Sequence, residues 1–435
     1  MDRIGLAVPG ARSSWPVQRT KKQVDIENQR RNSLVPGRSV MQALQEVTTG
    51  PGARGMELAQ LRIHIRTLIT LEETEAPIVS CYVHHAVEWD GSKASLLDGR
   101  VRMMRKVLAG QERDDFDAAF GVVQRYLATE LRPTTQGVAA FARAGSRPFF
   151  LGLQFQVPLP DELSVSTTPD IYHLVELKDT YHRYVVMIST EERVRILEVT
   201  LGSITRELWA ERPELRERVG REWTREHYQN HRRDRDERFL KEKIELLERL
   251  MAAGGHTHLI LAGSPRLTAR VRNRLPRHLQ AKLVDVVPAS ERAHVADVVT
   301  ATLSSFIDRE QQESLDTVAE LVSSLRRGRL AAAGAAATLE ALRRSQADVL
   351  VISCEFEPGP AWRCSHCGWA GAPSSQPEHC PECNSSELQS ANLKEVMVKL
   401  AERQSLEVEI VRNSDVLMEL GGVGCLLRYA TRSDD

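Results

Sequence analysis

Between residues 363 and 384 the chain reads RCSHCGWAGAPSSQPEHCPECN, which sets Cys364, Cys367, Cys380 and Cys383 in the pattern C-x2-C-x12-C-x2-C. Each close pair puts two thiolates on one turn, and the loop between the pairs is long enough to bring the second turn opposite the first. Four soft anionic ligands in a tetrahedron suit Zn2+ and leave no position for water, so the expected ion is structural. Binding energy at such sites is on the order of 10 kcal/mol, so the insert should order only around its ion. An iron–sulfur cluster is the competing reading. His366 and His379 lie inside the knuckles, but four cysteines make them spectators. Cys81, Cys354 and Cys425 stand in apolar runs and read as inert core thiols.

Seven cysteines, four of them paired this way, with no export pattern at the start, favour metal binding over disulfides and a cytoplasmic protein. No apolar run reaches the eighteen or so residues that a membrane-spanning helix needs. A length of 435 residues suggests about three domains. Lys and Arg (58) balance Asp and Glu (59), which excludes a globally basic nucleic-acid coat protein but allows local basic patches. Aromatic residues make up 5% of a chain rich in Ala, Leu, Arg and Glu, so helix-rich α/β structure is expected.

Residues 1–55 carry Pro9, Pro16, Pro36 and Pro51, show no sustained apolar period, and are expected to be a basic flexible extension. Residues 56–165 read as an α/β domain: helical spacing from Leu58 to Ile69, a strand at 76–85, helices near 100–108 and 116–127, and an extended run at 149–160. His84 and His85 are adjacent, so in a strand they face opposite ways and cannot chelate one ion together. Residues 166–287 form a middle domain. YVVMIS (184–189) and RVRILEV (193–199) make a hairpin, 235–250 an amphipathic helix, and 258–263 and 283–287 two further strands. Residues 288–435 form a layered α/β/α domain around DVLVIS (348–353), LEVEIV (406–411) and CLLRY (425–429), with the cysteine knuckle inserted.

Between Gly263 and Lys282 stand Arg266, Arg270, Arg272, Arg274, Arg277 and Lys282, with no acidic residue. Spacings of four, four and three put Arg266, Arg270, Arg274 and Arg277 on one helical face, a candidate surface for rRNA phosphates. Such a row is otherwise a solvated face. The stretch EHYQNHRRDRDERF (226–239) reads as a solvated helix end or an exposed tip. No phosphate loop, nucleophile elbow, zinc-protease motif or dinucleotide fingerprint occurs, so nothing in the residues alone specifies an enzyme.

The order strand, paired-cysteine insert, helix, LEVEIVRNSD, then GGVGCLLRY (421–429) resembles the third domain of the archaeal and eukaryotic class-I release factors and of Pelota, which is similar in fold to the ribosomal protein L7Ae. The middle domain follows in the same order, and bacterial members of that superfamily, Balon-like ones among them, share the pattern over about 56–435. The resemblance implies a three-domain release-factor/Pelota-like architecture with a zinc ribbon in the C-terminal α/β/α domain. It also implies a ribosome-binding factor that occupies the A site of stalled or hibernating ribosomes, with Arg232, Arg233 and the 266–282 segment on rRNA and the zinc-bearing domain on a translational GTPase. True release factors carry Gly-Gly-Gln before the long middle-domain helix; here that place is held by His227, Tyr228, Gln229, Asn230 and His231. The stop-codon motifs Asn-Ile-Lys-Ser and Tyr-x-Cys are missing as well, so codon-specific termination is not expected. The alternative is peptidyl-tRNA hydrolysis, with Gln229 positioning water and His231 or Tyr228 assisting.

Overall fold

Apolar runs of period two alternate with amphipathic stretches, and this patterning builds four sheets in the computed structural model, which describes residues 45–47, 56–85, 94–211, 225–358, 360–371 and 377–429. The chain enters through a short edge strand, β1 (Gln45–Val47), inside the segment expected to be an unstructured extension. Residues 1–44 and 48–55 of that segment lie outside the described residues. Helix α1 (Leu58–Ile69) then buries Leu58, Leu61, Ile65 and Leu68 along one face.

Strand β2 (Ile78–His84) is buried on both sides, because its two faces serve two different layers. Val79, Cys81 and Val83 pack under α2 (Ala94–Val107) and α3 (Gly110–Thr129), against Phe116, Phe120 and Val123. Ile78 and Tyr82 point the other way, into a cluster with Leu61 and Ile65 of α1. The remaining strands of this antiparallel sheet are β3 (Gly137–Arg143), β4 (Phe149–Phe155) and β5 (Glu162–Ser166), in the order β4-β3-β2-β5. A short helix, α4 (Tyr172–Thr180), leads out of it.

The hairpin read from the sequence is β6 (Tyr184–Ser189) with β7 (Arg193–Thr200), and β8 (Ser203–Glu211) extends it to a meander whose outer edge carries β1. The long helix α5 (Arg225–Gly254) starts ten residues earlier than the apolar period alone suggests. β9 (Leu259–Gly263) returns parallel to β6. Two helices follow, α6 (Pro265–Arg274) and α7 (Arg277–Gln280), and then β10 (Leu283–Pro288), parallel to β9. The basic row is therefore not one helix. Leu275 caps α6 in an extended conformation, and Pro276, which has no N–H to continue the ladder, starts α7.

Helix α8 (Val295–Arg326) runs 32 residues, about 48 Å at the usual rise. Its first half packs Val298, Val299 and Phe306 on the six-stranded sheet; its second half packs Val318 and Leu321 on the C-terminal one. That last sheet contains β11 (Ala331–Ala333), β12 (Ala347–Ser353), β16 (Glu407–Val411) and β17 (Val423–Leu427), ordered β11-β17-β12-β16. It is flanked by α9 (Ala335–Arg343), α10 (Leu393–Arg403) and α11 (Asp415–Glu419). The insert forms its own three-stranded sheet from β13 (Pro360–Cys364), β14 (Ala370–Gly371) and β15 (Leu388–Asn392). Among the described residues no helix is long and apolar enough to cross a membrane.

The GGVGCLLRY segment has a steric reason for its glycine pair. Gly421 and Gly422 turn the chain from α11 into β17 at φ +93° and +74°, and a Cβ on Gly422 would stand 2.8 Å from Phe356 Cδ2. Gly99, inside α2, has an ordinary helical backbone and open space where a Cβ would stand. Gly422→Ala should therefore destabilise the protein by at least about 1–2 kcal/mol, while Gly99→Ala should stabilise it by about 0.5–1 kcal/mol. Denaturant midpoints of the two variants that moved in the same direction would contradict this placement.

Candidate functional site

The four paired cysteines converge. Cys364 closes β13, and the chain turns back through Gly368 at φ +77°, whose N–H donates to the Cys364 carbonyl at 3.0 Å. The second knuckle repeats the device: Asn384, at φ +57°, donates its N–H to the Cys380 carbonyl at 2.9 Å. Each turn thus ends in a left-handed residue that folds two thiols inward. Sγ of Cys364 lies 3.5 Å from that of Cys383, and Sγ of Cys367 3.5 Å from that of Cys380. All four sulfurs fall within 4.8 Å of one another. Thiolates about 2.3 Å from a tetrahedral ion would stand about 3.8 Å apart, so the set fits a metal ion.

The electrostatics agree. The Cys367 and His366 backbone N–H groups help hold the Cys364 thiol below its ordinary range. Cys383 goes the other way, up to about 12: the Ser385 N–H opposes the rise, but burial and the three neighbouring thiols prevail. Four thiols so close cannot all ionise without a cation among them. His366 and His379 are exposed and outside the set. Arg343 of α9 pairs with Glu382, tying the second knuckle to the C-terminal layer.

The other sequence-derived candidates are not gathered into one place by any contact among the described residues. Gln229, His231 and Arg232 lie on backbone that is already helical from Arg225, so positions 227–231 are the opening turns of α5, not a loop ahead of it. Arg233, one residue on, is exposed. On α6 the row is partly turned inward: Arg270 and Arg274 reach Glu237 of α5, at 3.5 and 3.1 Å. Lys282 donates to the His256 carbonyl at 2.6 Å and holds the end of α5. Arg266, Arg272 and Arg277 are exposed and have no ion-pair partner among the described residues.

A polar seam absent from the sequence reading joins α4 to the C-terminal layer. Glu395 of α10 is buried, and its carboxylate accepts N–H bonds from Ile171 (3.0 Å) and Tyr172 (2.6 Å) at the start of α4. Nearby, His173 is held on both ring nitrogens, by Glu162 at 2.6 Å and Glu176 at 3.0 Å, and Arg412 donates to Glu176 at 2.9 Å. Lys394 sits over the Tyr172 ring, 3.9 Å from its centre. These groups line a cavity of 820 Å³. Burial alone would lower the His173 imidazole, but the two carboxylates override it and lift it to about 9. The network comes from positions 162 to 412, with no local spacing that could have announced it.

Residues 169–306, from the end of the first sheet through the six-stranded sheet to Phe306, match the family model described as bacterial archaeo-eukaryotic release factor family 10. Over those residues the chain is similar to a release-factor-like family. The architecture is mixed α/β with several sheets, as the sequence leads one to expect. It is similar to an archaeal translation termination factor, aRF1, at 14% identity over 86% of this chain and 99% of that one, TM-score 0.25. It is similar to Archaeoglobus fulgidus Pelota at 12% identity over 87% and 94%, TM-score 0.35. A model of ribosome-bound archaeal Pelota and ABCE1 gives 13% identity over 88% and 99%, TM-score 0.37. No curated protein matches the sequence.

Replacing Cys364 and Cys380 together by Ser should abolish metal at the knuckle and loosen the insert. Elemental analysis combined with limited proteolysis between β13 and β15 reads both effects, and full metal content in the double variant would exclude these ligands. The His173 pairing has a pH signature. A raised folded pKa means its stabilisation is complete below about 6.5, the ordinary imidazole value, and is lost as pH rises through about 9. The stability advantage of the wild type over His173→Gln should shrink by at most about 3 kcal/mol across that window. A constant difference from pH 6 to 9.5 would show that the imidazole is not charged in the fold.

Proposed function

We propose that this release-factor-like protein is a cytoplasmic ribosome-associated translation factor that occupies the A site of stalled or hibernating ribosomes without reading a stop codon. The observation that carries the reading is the family match over 169–306, which contains α5 and the exposed cations of α6 and α7. In a chain of net charge −1, Arg266, Arg272 and Arg277 leave guanidinium groups without partners among the described residues, and Arg233 is exposed on α5. Guanidinium groups left this way are suited to phosphate oxygens, which they bind in a bidentate fork. Arg232, Arg270, Arg274 and Lys282 complete the proposed rRNA-facing set. Arg270 and Arg274 contribute less, since each must first leave Glu237. The knuckle holds a structural Zn2+ through Cys364, Cys367, Cys380 and Cys383, and the C-terminal layer that carries it docks a translational GTPase.

Hydrolysis of peptidyl-tRNA through Gln229 and His231 has no observation in its favour. In α5 the backbone N–H and C=O of position 229 lie within a regular helix, where the close backbone approach of a glycine tip is not available.

The test is co-sedimentation with 70S ribosomes carrying peptidyl-tRNA, with peptide release assayed in the same tubes. Binding without release is expected, and Gln229→Ala should leave it unchanged. Reversing Arg266, Arg272 and Arg277 to Glu should weaken binding and lower the slope of log affinity against log salt by up to about 2–3, near 0.9 per lost phosphate contact. Unchanged binding at every salt concentration would remove the α6–α7 surface from the interface, and release abolished by Gln229→Ala would overturn the occupancy reading.

A further inference from the structure

A second group of metal-ligating side chains stands far from the cysteine knuckle in sequence, and the topology explains how it forms. Strands β6 and β9 are parallel neighbours, with Val185 opposite Leu259, so the segments that enter them lie side by side at one end of the sheet. His182 precedes the first strand and His258 the second. Helix α8 crosses this end and presents Glu310 and Glu313, one turn apart. The His182 Nδ1 lies 3.2 Å from Glu310 Oε2, and the His258 Nε2 lies 3.4 Å from Glu310 Oε1 and 3.2 Å from Glu313 Oε1. The candidate donor atoms of His182, His258 and Glu310 all fall within 4.8 Å of one another.

Three features mark this as more than a crossing of side chains. Ligand atoms about 2.0–2.1 Å from a tetrahedral ion stand about 3.3 Å apart; each imidazole lies at that separation from one oxygen of Glu310, His182 at 3.2 Å from Oε2 and His258 at 3.4 Å from Oε1, and the set as a whole stays within 4.8 Å. The rings are held in place. Phe306, one turn before Glu310, meets both imidazoles edge to face, with centroids 5.2 Å from His182 and 5.6 Å from His258. The His258 Nδ1 lies 2.8 Å from the Thr257 hydroxyl, the outer-shell arrangement that leaves Nε2 to bind. Glu310 Oε1 is buried and makes no hydrogen bond.

We propose that His182, His258 and Glu310 form a second divalent-cation site, of the two-imidazole, one-carboxylate kind that takes Zn2+. Two contacts compete, and only the first must yield. The His182 Nδ1 also faces the Asp179 carbonyl at 3.0 Å, and Arg309 holds Glu313 Oε1 at 2.8 Å. The cation replaces the proton of the first contact; Glu313 remains with its arginine or closes the fourth position. The ion would fasten the middle of α8 to the end of the central strands of the six-stranded sheet, between the helix's two apolar anchorages.

The full chain, stripped with chelator, reloaded with Zn2+ alone and desalted, should hold two equivalents by elemental analysis. Glu310→Gln, which keeps size and shape, should weaken the second equivalent more than about 100-fold in a competition titration, since losing a ligand exceeds the 10–100-fold typical of a lost outer-shell partner. The Cys364→Ser, Cys380→Ser variant should keep that equivalent and lose the other. Were the knuckle not to bind zinc, the wild type would hold one equivalent, insensitive to the cysteine changes and lost in Glu310→Gln, which still supports this site. A single equivalent lost with the cysteines, or two retained in Glu310→Gln, would overturn it. If Glu310→Gln does not fold by circular dichroism, the wild-type and cysteine-variant counts decide.

Discussion

A buried carboxylate ties the start of α4 to the C-terminal layer. Glu395, on the first turn of α10, accepts from the Ile171 and Tyr172 N–H groups, which open α4 and have no partner inside that helix. Lys399 stands one turn along α10, 3.5 Å away. Burial works against the charge, yet Asp170, Lys399 and the two N–H groups hold the Glu395 carboxyl below its usual range, while burial and the Glu395 charge push Asp170 well above its own. The same three residues are gripped from the other side: Tyr82 donates to the Asp170 carbonyl at 2.6 Å, and the Asp170 N–H donates to Ser80 at 2.9 Å. Segment 170–172 is pinned between β2 and α10.

That pin lies inside an apolar core that does not stop at either sheet. One cluster runs from Tyr82 and Phe141 through Leu174 and Leu177 of α4 to Leu350, Met397 and Val398. Around it the charges of α4 are paired outward with the C-terminal layer: Lys178 with Glu402, Asp179 accepting from the Ile410 N–H at 2.8 Å, and Glu176 with Arg412. A helix of nine residues could not hold itself in water. It persists because its apolar face enters the shared core while its polar groups are satisfied by the layer it meets.

What could be read from the sequence and what could not divide along one physical line. The β6–β7 hairpin, β12 and the cysteine knuckle were legible because strand period, turn and ligand spacing are all local. β3 was missed because GVAAFAR is rich in alanine, whose β-preference is weak, and only burial on both faces makes it a strand. The basic row was legible as composition but not as geometry, since Pro276 divides it and Glu237, thirty-three residues before Arg270, takes up two of its members. The His173 network, the Glu395 pin and the His182–His258–Glu310 group were invisible, since each is assembled from residues that only the topology brings together.

The long helix α8 shows the same division along its own length. Phe306 stacks on Tyr184 at 4.4 Å and anchors it to the six-stranded sheet; Val318 and Leu321 anchor it to the C-terminal one. The turn between faces the protein with Glu310, Glu313 and Ser314, and Ser314 donates to Glu409 of β16 at 2.5 Å. An apolar turn there would have fused the two sheets into one core, with its strength set by buried area and independent of ions or pH. A polar turn makes the link between them depend on charge pairing within a few ångströms, where one proton or one cation changes the balance. The two sheets are therefore fixed internally by hydrophobic packing and fixed to each other, along this helix, by groups whose charge state solution conditions can set.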